Sequence, residues 1–234
     1  IAIPVPRPTH SKNGKRDGLL PHVMIAEAIG DLPKVSPKIT KTGIKSKNKL
    51  TRLARKNGLS YPGEDRVPYS KPAFMSFMAK NGPSGQGFLN FVRPNGYAYL
   101  DHHVARPQQL SDIELFHLMH EGETAKGFVG RRPALASRLI KYDMDAFKDK
   151  YRKQNWHSPS TTIFAHLDRD GNRFIHPRQS RTLTVREAAR LQSFPDDYIF
   201  SGSNNKKYRQ IGNAVPPLLA MRIAETILGC IGEN

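Results

Sequence analysis

Between Lys34 and Lys56 the chain carries nine basic residues (Lys34, Lys38, Lys41, Lys45, Lys47, Lys49, Arg52, Arg55 and Lys56) and no acidic one. A stretch this charged adds nothing to a core and must be solvated or met by a partner of opposite sign. The fold is therefore assembled from what lies on either side of it. The whole chain leans the same way: 37 Lys and Arg against 20 Asp and Glu over 234 residues give a formal net charge of +17, with a pI near 10.1. An isolated basic run reads as a solvated loop. In so basic a chain, phosphate contact is at least as good a reading, and the partner class is a polyanion. An anionic membrane would attract the same charge, but no amphipathic helix with a strong apolar face accompanies the run. No stretch approaches the roughly 18 consecutive apolar residues of a membrane span.

Cys230 is the single cysteine, which rules out an intramolecular disulfide, leaves no cysteine-based zinc site and argues for a reducing compartment. The nine histidines are scattered, as in His102-His103 and His117 with His120, and no metal is expected. The opening Ile1-Ala2-Ile3-Pro4 lacks the charged start and apolar run of a signal peptide. It also lacks an initiator Met, so the chain is expected to be a piece of something longer.

The predicted architecture is α+β: a small irregular domain with short antiparallel strands in the middle, and helical segments at the end. Met24 to Leu32 carries apolar residues at helical spacing and meets Pro33. Turn signals fill residues 57 to 96. Between them Phe88 to Val92 and Tyr97 to Leu100 read as strands, and Asn95-Gly96 as a hairpin turn. Ser111 and Glu114 form a capping-box pattern that opens a helix ending by Gly122. Thr161 to His166 reads as a strand, with a second hairpin at Asp170-Gly171. Thr184 and Glu187 form another capping box, for a helix that stops before Pro195. Pro216-Pro217 opens a last helix, for which Gly229 is a natural stop.

Two carboxy-terminal stretches sharpen this. Arg181-Thr182-Leu183-Thr184-Val185-Arg186-Glu187-Ala188-Ala189-Arg190-Leu191-Gln192-Ser193-Phe194-Pro195-Asp196 closely resembles the ninth shared motif of DNA cytosine C5-methyltransferases. Tyr208-Arg209-Gln210-Ile211-Gly212-Asn213-Ala214-Val215-Pro216-Pro217 resembles the tenth, in the right order and at fitting spacing. Weaker likenesses lie upstream, in Pro6 to His10, Glu27 to Pro33, Asp101 to Arg106 and Ser158 to Ile163. The resemblance implies an entry segment (1–33), a target-recognition domain (34–178) and a segment (179–234) that completes a Rossmann-like S-adenosylmethionine-dependent lobe. It implies that Arg181, Arg186, Glu187 and Gln210 are structural, with the ninth-motif arginines, Arg181, Arg186 and Arg190, pinning the recognition domain to the catalytic one. The alternative is ordinary solvated helix charge. It also implies that Gly212, Asn213, Ala214 and Val215 close over S-adenosylmethionine, with Asn213 bonding its amino-acid end. The bland reading is a loop before a proline-capped helix.

The resemblance places no catalytic residue in this chain. Its nucleophile is a thiolate on a Pro-Cys loop, and Cys230 sits after the last motif, where the family has none; a helix-terminal Cys usually packs. Ser84-Gly85-Gln86-Gly87 is not a cofactor fingerprint. The expected partners are duplex DNA and an amino-terminal catalytic half that carries the nucleophile, in a bacterial cytoplasm. From charge and loop position, Lys45, Lys47, Lys49, Arg52, Arg131 and Arg132 are the candidates for DNA contact. The rival readings are a non-catalytic DNA-binding protein or degenerate remnant, and an RNA-binding protein using Phe88, Phe91, Tyr97 and Tyr99.

Overall fold

The computed structural model describes residues 5–37, 39, 66–93, 99–141, 150–169 and 171–232. The candidate DNA contacts Lys45, Lys47, Lys49 and Arg52 lie outside these residues, as do Asn95-Gly96 and Tyr97.

Strand β1 (His10–Ser11) pairs in parallel with β2 (Leu20–Pro21) around a one-turn 3-10 helix, Gly14–Asp17. The short helix α1 (Ile25–Ile29) follows and ends before Pro33 is reached. Its first two amides donate to the carbonyls of Ser158 and Trp156, so orphan donors at the helix start are met by a distant segment. Strand β3 (Arg66–Pro68) pairs antiparallel with β4 (Tyr99–Asp101). Between them lie α2 (Lys71–Ala79) and α3 (Pro83–Val92).

The structure corrects the strand expected at Phe88–Val92. Pro83 opens a helix there, and Ser84, Gly85, Leu89 and Val92 face inward at helical spacing. A short, mostly apolar stretch does not by itself distinguish a buried strand from one turn of helix. Phe88 and Phe91 are half-buried against the core, whereas Tyr99 is exposed.

Helices α4 (Leu110–Leu118), α5 (Ala125–Arg131) and α6 (Pro133–Leu139) close a second core of Leu115, Phe116, Phe128, Leu139, Tyr151 and Ile175. The expected Ser111–Glu114 capping box does not form. The cap falls two residues earlier, at Gln109, and Glu114 pairs with Arg138 instead. Gly122, at φ +79, makes the left-handed turn that leads into α5. Lys153 runs beneath α4 and donates from Nζ to the carbonyls of Phe116 (2.8 Å) and Met119 (2.9 Å), a cation closing a helix C-terminus.

Two further strand expectations are corrected. Thr161–Phe164 forms no strand and runs into a 3-10 helix, Ala165–Asp168. Gly171–Arg173 is a 3-10 turn, not a hairpin tip. Ile175 instead forms isolated bridges to Lys153 and to Thr182. The chain ends in α7 (Val185–Leu191), α8 (Asn204–Asn213) and α9 (Pro217–Gly232), which passes through Gly229. The described residues thus mix helix and strand, with helix dominant and sheet confined to two short pairs. The main core draws Ile25, Ile29, Leu89, Leu100, Phe174, Ala188, Tyr208 and Ile211 together, so the first and last segments of the chain share one interior.

Candidate functional site

Helix α7 starts with the predicted capping box. Thr184 Oγ1 accepts from the Glu187 amide at 3.1 Å, and Glu187 Oε2 accepts from the Thr184 amide at 2.7 Å. The same carboxylate takes a two-pronged grip from Arg181, Nη1 at 2.7 Å and Nη2 at 2.6 Å. Burial alone would raise the Glu187 pKa, but the Arg181 guanidinium holds it well below the usual carboxylate range. Burial pushes the flanking His176 down to about 3, and His103 is lowered for the same reason. Both rings are therefore neutral neighbours of the ion pair. His103 Nδ1 lies 3.0 Å from Thr184 Oγ1 and its Nε2 lies 2.7 Å from the Pro33 carbonyl, which ties α7 to the end of the entry segment.

One turn on, Arg186 spends its guanidinium on backbone carbonyls: Asp101 (3.0 Å), Pro195 (2.9 Å) and Tyr198 (2.9 Å). Burial lowers its pKa to about 10. Arg190 grips Asp196 through Nε (2.8 Å) and Nη2 (2.6 Å) and reaches Asp31 and the Ala28 carbonyl with Nη1. Desolvation opposes its charge, but Asp196 and Asp31 outweigh that and raise its pKa. Arg93 adds a second cation to Asp196 at 2.8 Å and lies over the Tyr69 ring, 3.7 Å from its centroid. The Tyr69 hydroxyl donates to Asp31. Arg181, Arg186 and Arg190 are all fully buried, so the structural reading of these arginines, not solvated helix charge, fits their surroundings. Asp31, Arg93, Asp196 and the two buried histidines belong to the same network. Their signal in the sequence is weak, because the partners are far apart: Asp31 and Arg190 are 159 positions from each other.

Beyond α7 the chain makes a corner. Ser193 sits at φ +61, and its hydroxyl accepts from the Leu218 amide in the first turn of α9 (3.1 Å). Gln192 Nε2 donates to the carbonyls of Ile211 (3.2 Å) and Ala214 (3.4 Å) at the end of α8. Helix α8 is anchored from below by Tyr208, whose hydroxyl donates to the Leu183 carbonyl at 2.8 Å. Gly212 and Asn213 are thus the last residues of a helix, not part of a loop. A Cβ at Gly212 would stand 2.3 Å from the Phe164 carbonyl oxygen, so this glycine permits α8 to lie against the Ala165–Asp168 turn. Gln210 is exposed and ties the surface, donating to Ser201 O (2.8 Å) and Lys206 O (3.2 Å); it takes no part in the buried network.

Asn213 and Val215 face solvent, with Ala214 half-buried between them. The Asn213 side-chain amide has no hydrogen-bond partner among the described residues. An open amide, donor and acceptor together, next to apolar Ala214 and Val215 fits one edge of a zwitterionic ligand with an apolar body. The residues present fit that edge and no more of the molecule. From the same corner α9 projects its apolar residues outward, from Ile223 at 39% exposed to Leu228 at 67%.

The two candidate DNA contacts that are described behave differently. Arg131 is held by Glu123 through Nε (2.9 Å) and Nη2 (2.7 Å) and by the Leu118 carbonyl (2.9 Å). Its head closes the α4–α5 turn. Arg132 is exposed between α5 and α6, on the same short hairpin as exposed Lys126. No cluster of metal-ligating side chains occurs among the described residues.

M.OihORF3336P of Oceanobacillus iheyensis, named as a type II methyltransferase, is 35% identical over 231 residues, covering 89% of this chain and 46% of its own. Type II methyltransferase M.AgeI of Thalassovita gelatinovora is 55% identical over 85 residues, 36% of this chain and 20% of its own. The chain therefore spans less than half the length of these relatives. A solved structure of a prophage-encoded DNA modification methyltransferase from E. coli superposes with a TM-score of 0.54 at 16% identity, over 91% of this chain and 48% of that one, a likeness of fold. The profile of the C-5 cytosine-specific DNA methylase family matches residues 68–229. Most of the chain lies inside that match, and the protein belongs to the C-5 cytosine-specific DNA methylase family.

Proposed function

We propose that this chain supplies the DNA-recognition and cofactor-site-completing part of a DNA (cytosine-5-)-methyltransferase of bacterial restriction-modification type, working in the cytoplasm and inactive alone. The observation that carries the reading is the open corner where Asn213, Val215 and the apolar side of α9 all face outward from a chain whose relatives are about twice as long. A catalytic half carrying the Pro-Cys nucleophile, from a separate subunit or the same polypeptide, covers that face. A membrane is a poorer occupant. The helical run 204–231 is long and apolar enough by composition, but it is broken at Ala214–Pro216, and the 16 residues of α9 extend only about 24 Å against a hydrocarbon core of about 30 Å.

Residues 34–178 form the recognition domain. Its lysines and arginines hold phosphates and set register, while loop side chains read base edges in the major groove. Arg132 and the basic run from Lys45 to Arg52 carry the phosphate role. Residues 1–33 and 179–234 belong to the catalytic lobe, a division supported by the Arg190 contacts to Asp31 and to the Ala28 carbonyl that fasten them together. Asn213 orients the amino-acid end of S-adenosylmethionine, which when bound supplies the methyl group for C5 of a cytosine in duplex DNA. The buried arginines keep the recognition domain in one orientation, so that the target base, swung from the stack, meets the nucleophile at a fixed place.

Mixing this chain with an amino-terminal half from the family, duplex DNA and tritiated S-adenosylmethionine tests the reading. Label is expected in cytosine only when both halves are present. DNA binding without methyl transfer by any such assembly would instead favour a non-catalytic DNA-binding protein.

A further inference from the structure

We infer that Gln192 and Ser193 are positioning residues for the donor-facing edge, coupling the helix that locks the recognition domain to the place where Asn213 stands. The inference rests on the functional reading above. The two side chains are adjacent at the end of α7, and both are buried. Gln192 holds the carbonyls on either side of the Gly212-Asn213 pair, and Ser193 holds the amide of Leu218. Both ends of the link between α8 and α9 are thus tied to one point, and the Asn213 side chain is left free between them. That point is fixed in turn: Arg186, Glu187 and Arg190 bind α7 to Asp101, Arg181, Asp196 and Asp31.

The backbone at Ser193 supports a role for its side chain. At φ +61 a glycine is unstrained and a serine is not. Its hydroxyl, spent on the first turn of α9, is the feature a glycine would lack. Gln192 offers two donors to two carbonyls without bringing a charge to a donor-binding edge, as Lys would. Neither side chain bonds to the ion pairs that organise α7, so altering either should move the edge and leave the recognition core in place.

The experiment uses the assembled enzyme carrying Gln192→Met, which keeps the length but loses the amide, and independently Ser193→Gly, which relaxes the backbone but loses the hydroxyl. Calorimetry measures binding of S-adenosylhomocysteine, and steady-state rates give KM for the methyl donor, kcat and KM for DNA. Each variant is expected to weaken S-adenosylhomocysteine and raise donor KM by about tenfold, the equivalent of about 1.4 kcal/mol, with kcat and DNA affinity changed less than about twofold. Gln192→Glu, which turns a donor into an acceptor facing two carbonyls, weakens donor binding further. Unchanged donor affinity in both variants overturns the inference, and so does donor and DNA binding falling together, the mark of a general structural role. An unmutated assembly that binds donor but transfers no methyl group overturns the functional reading and leaves the calorimetric comparison able to judge the positioning.

Discussion

Replacing Glu187 with Gln removes one charge and little volume, yet it leaves the Arg181 guanidinium buried against an amide that donates as readily as it accepts. Breaking a buried pair by altering one partner costs about 3–5 kcal/mol, mostly from the charge left uncompensated. Urea denaturation should show a loss of that size for Glu187→Gln and for Asp196→Asn, which faces Arg93 and Arg190 together. Glu225→Gln, whose pair with Arg222 is half-exposed on α9, should change stability by less than about 0.5 kcal/mol. The same residues fix a pH dependence. His176 is held near 3 in the folded chain against 6.5 as a free side chain, and His103 is lowered too. As pH falls below 6.5 the unfolded chain takes up these protons first, so folding weakens from there toward 3. Glu187 and Asp196, also held low, add to the loss below about 4.5 and 3.8, their ordinary values. Asp112, raised by burial, acts in the opposite sense. Denaturation midpoints measured from pH 7 to 4 should fall steadily, and the His103→Gln, His176→Gln double variant should flatten the upper part of that curve. A midpoint independent of pH above 4.5 would contradict the buried neutral histidines.

Gly212 tests how the last helices fit. Gly212→Ala pushes a Cβ against the Phe164 carbonyl, a backbone atom that cannot swing aside, and overpacking of this kind costs about 1–3 kcal/mol. Gly229→Ala, on the open part of α9 with nothing near its Cβ position, should gain roughly 0.5–1 kcal/mol from helix propensity. Opposite shifts in melting temperature are the expected result. The two glycines look alike in sequence, and only the packing separates them. Local chemistry was legible: the Thr184–Glu187 capping box and the proline-opened α9 formed as their residue patterns predict, because each signal lies within one turn. Helix α8 was hidden by its polar start, Asn204-Asn205-Lys206-Lys207, and by an inward face of only Tyr208 and Ile211. The strand expected at Phe88–Val92 is a helix because Pro83, five residues before it, opens one and carries the apolar residues into helical spacing. The motif arginines could be singled out from the sequence, but their partners could not. Nothing local links Arg190 to Asp31, or Arg186 to the carbonyl of Asp101.

At the scale of the whole chain, two surfaces await something: a basic one and an apolar one. For the basic surface, Arg132→Ala should lower the salt slope of duplex binding by about 0.9, the share of one phosphate contact, whereas Arg131→Ala should chiefly destabilise the α4–α5 turn that it closes on Glu123. The apolar surface gives the sharper test. Leu219, Ile223, Ile227, Leu228 and Ile231 stand exposed along α9, and a contiguous apolar face of this kind marks a contact with another surface. The isolated chain should therefore self-associate. Ile223→Asp with Ile227→Asp puts two charges on that face, outside the two hydrophobic cores, and with i,i+4 repulsion and weaker helix propensity urea stability should fall by only about 1 kcal/mol. Light scattering should show the variant closer to monomeric. Mixed with the amino-terminal half it should give no methyl transfer, because two carboxylates would have to be buried unpaired in the joint. Full activity in that mixture would mean that α9 lies outside the joint, and the catalytic half would then have to dock elsewhere.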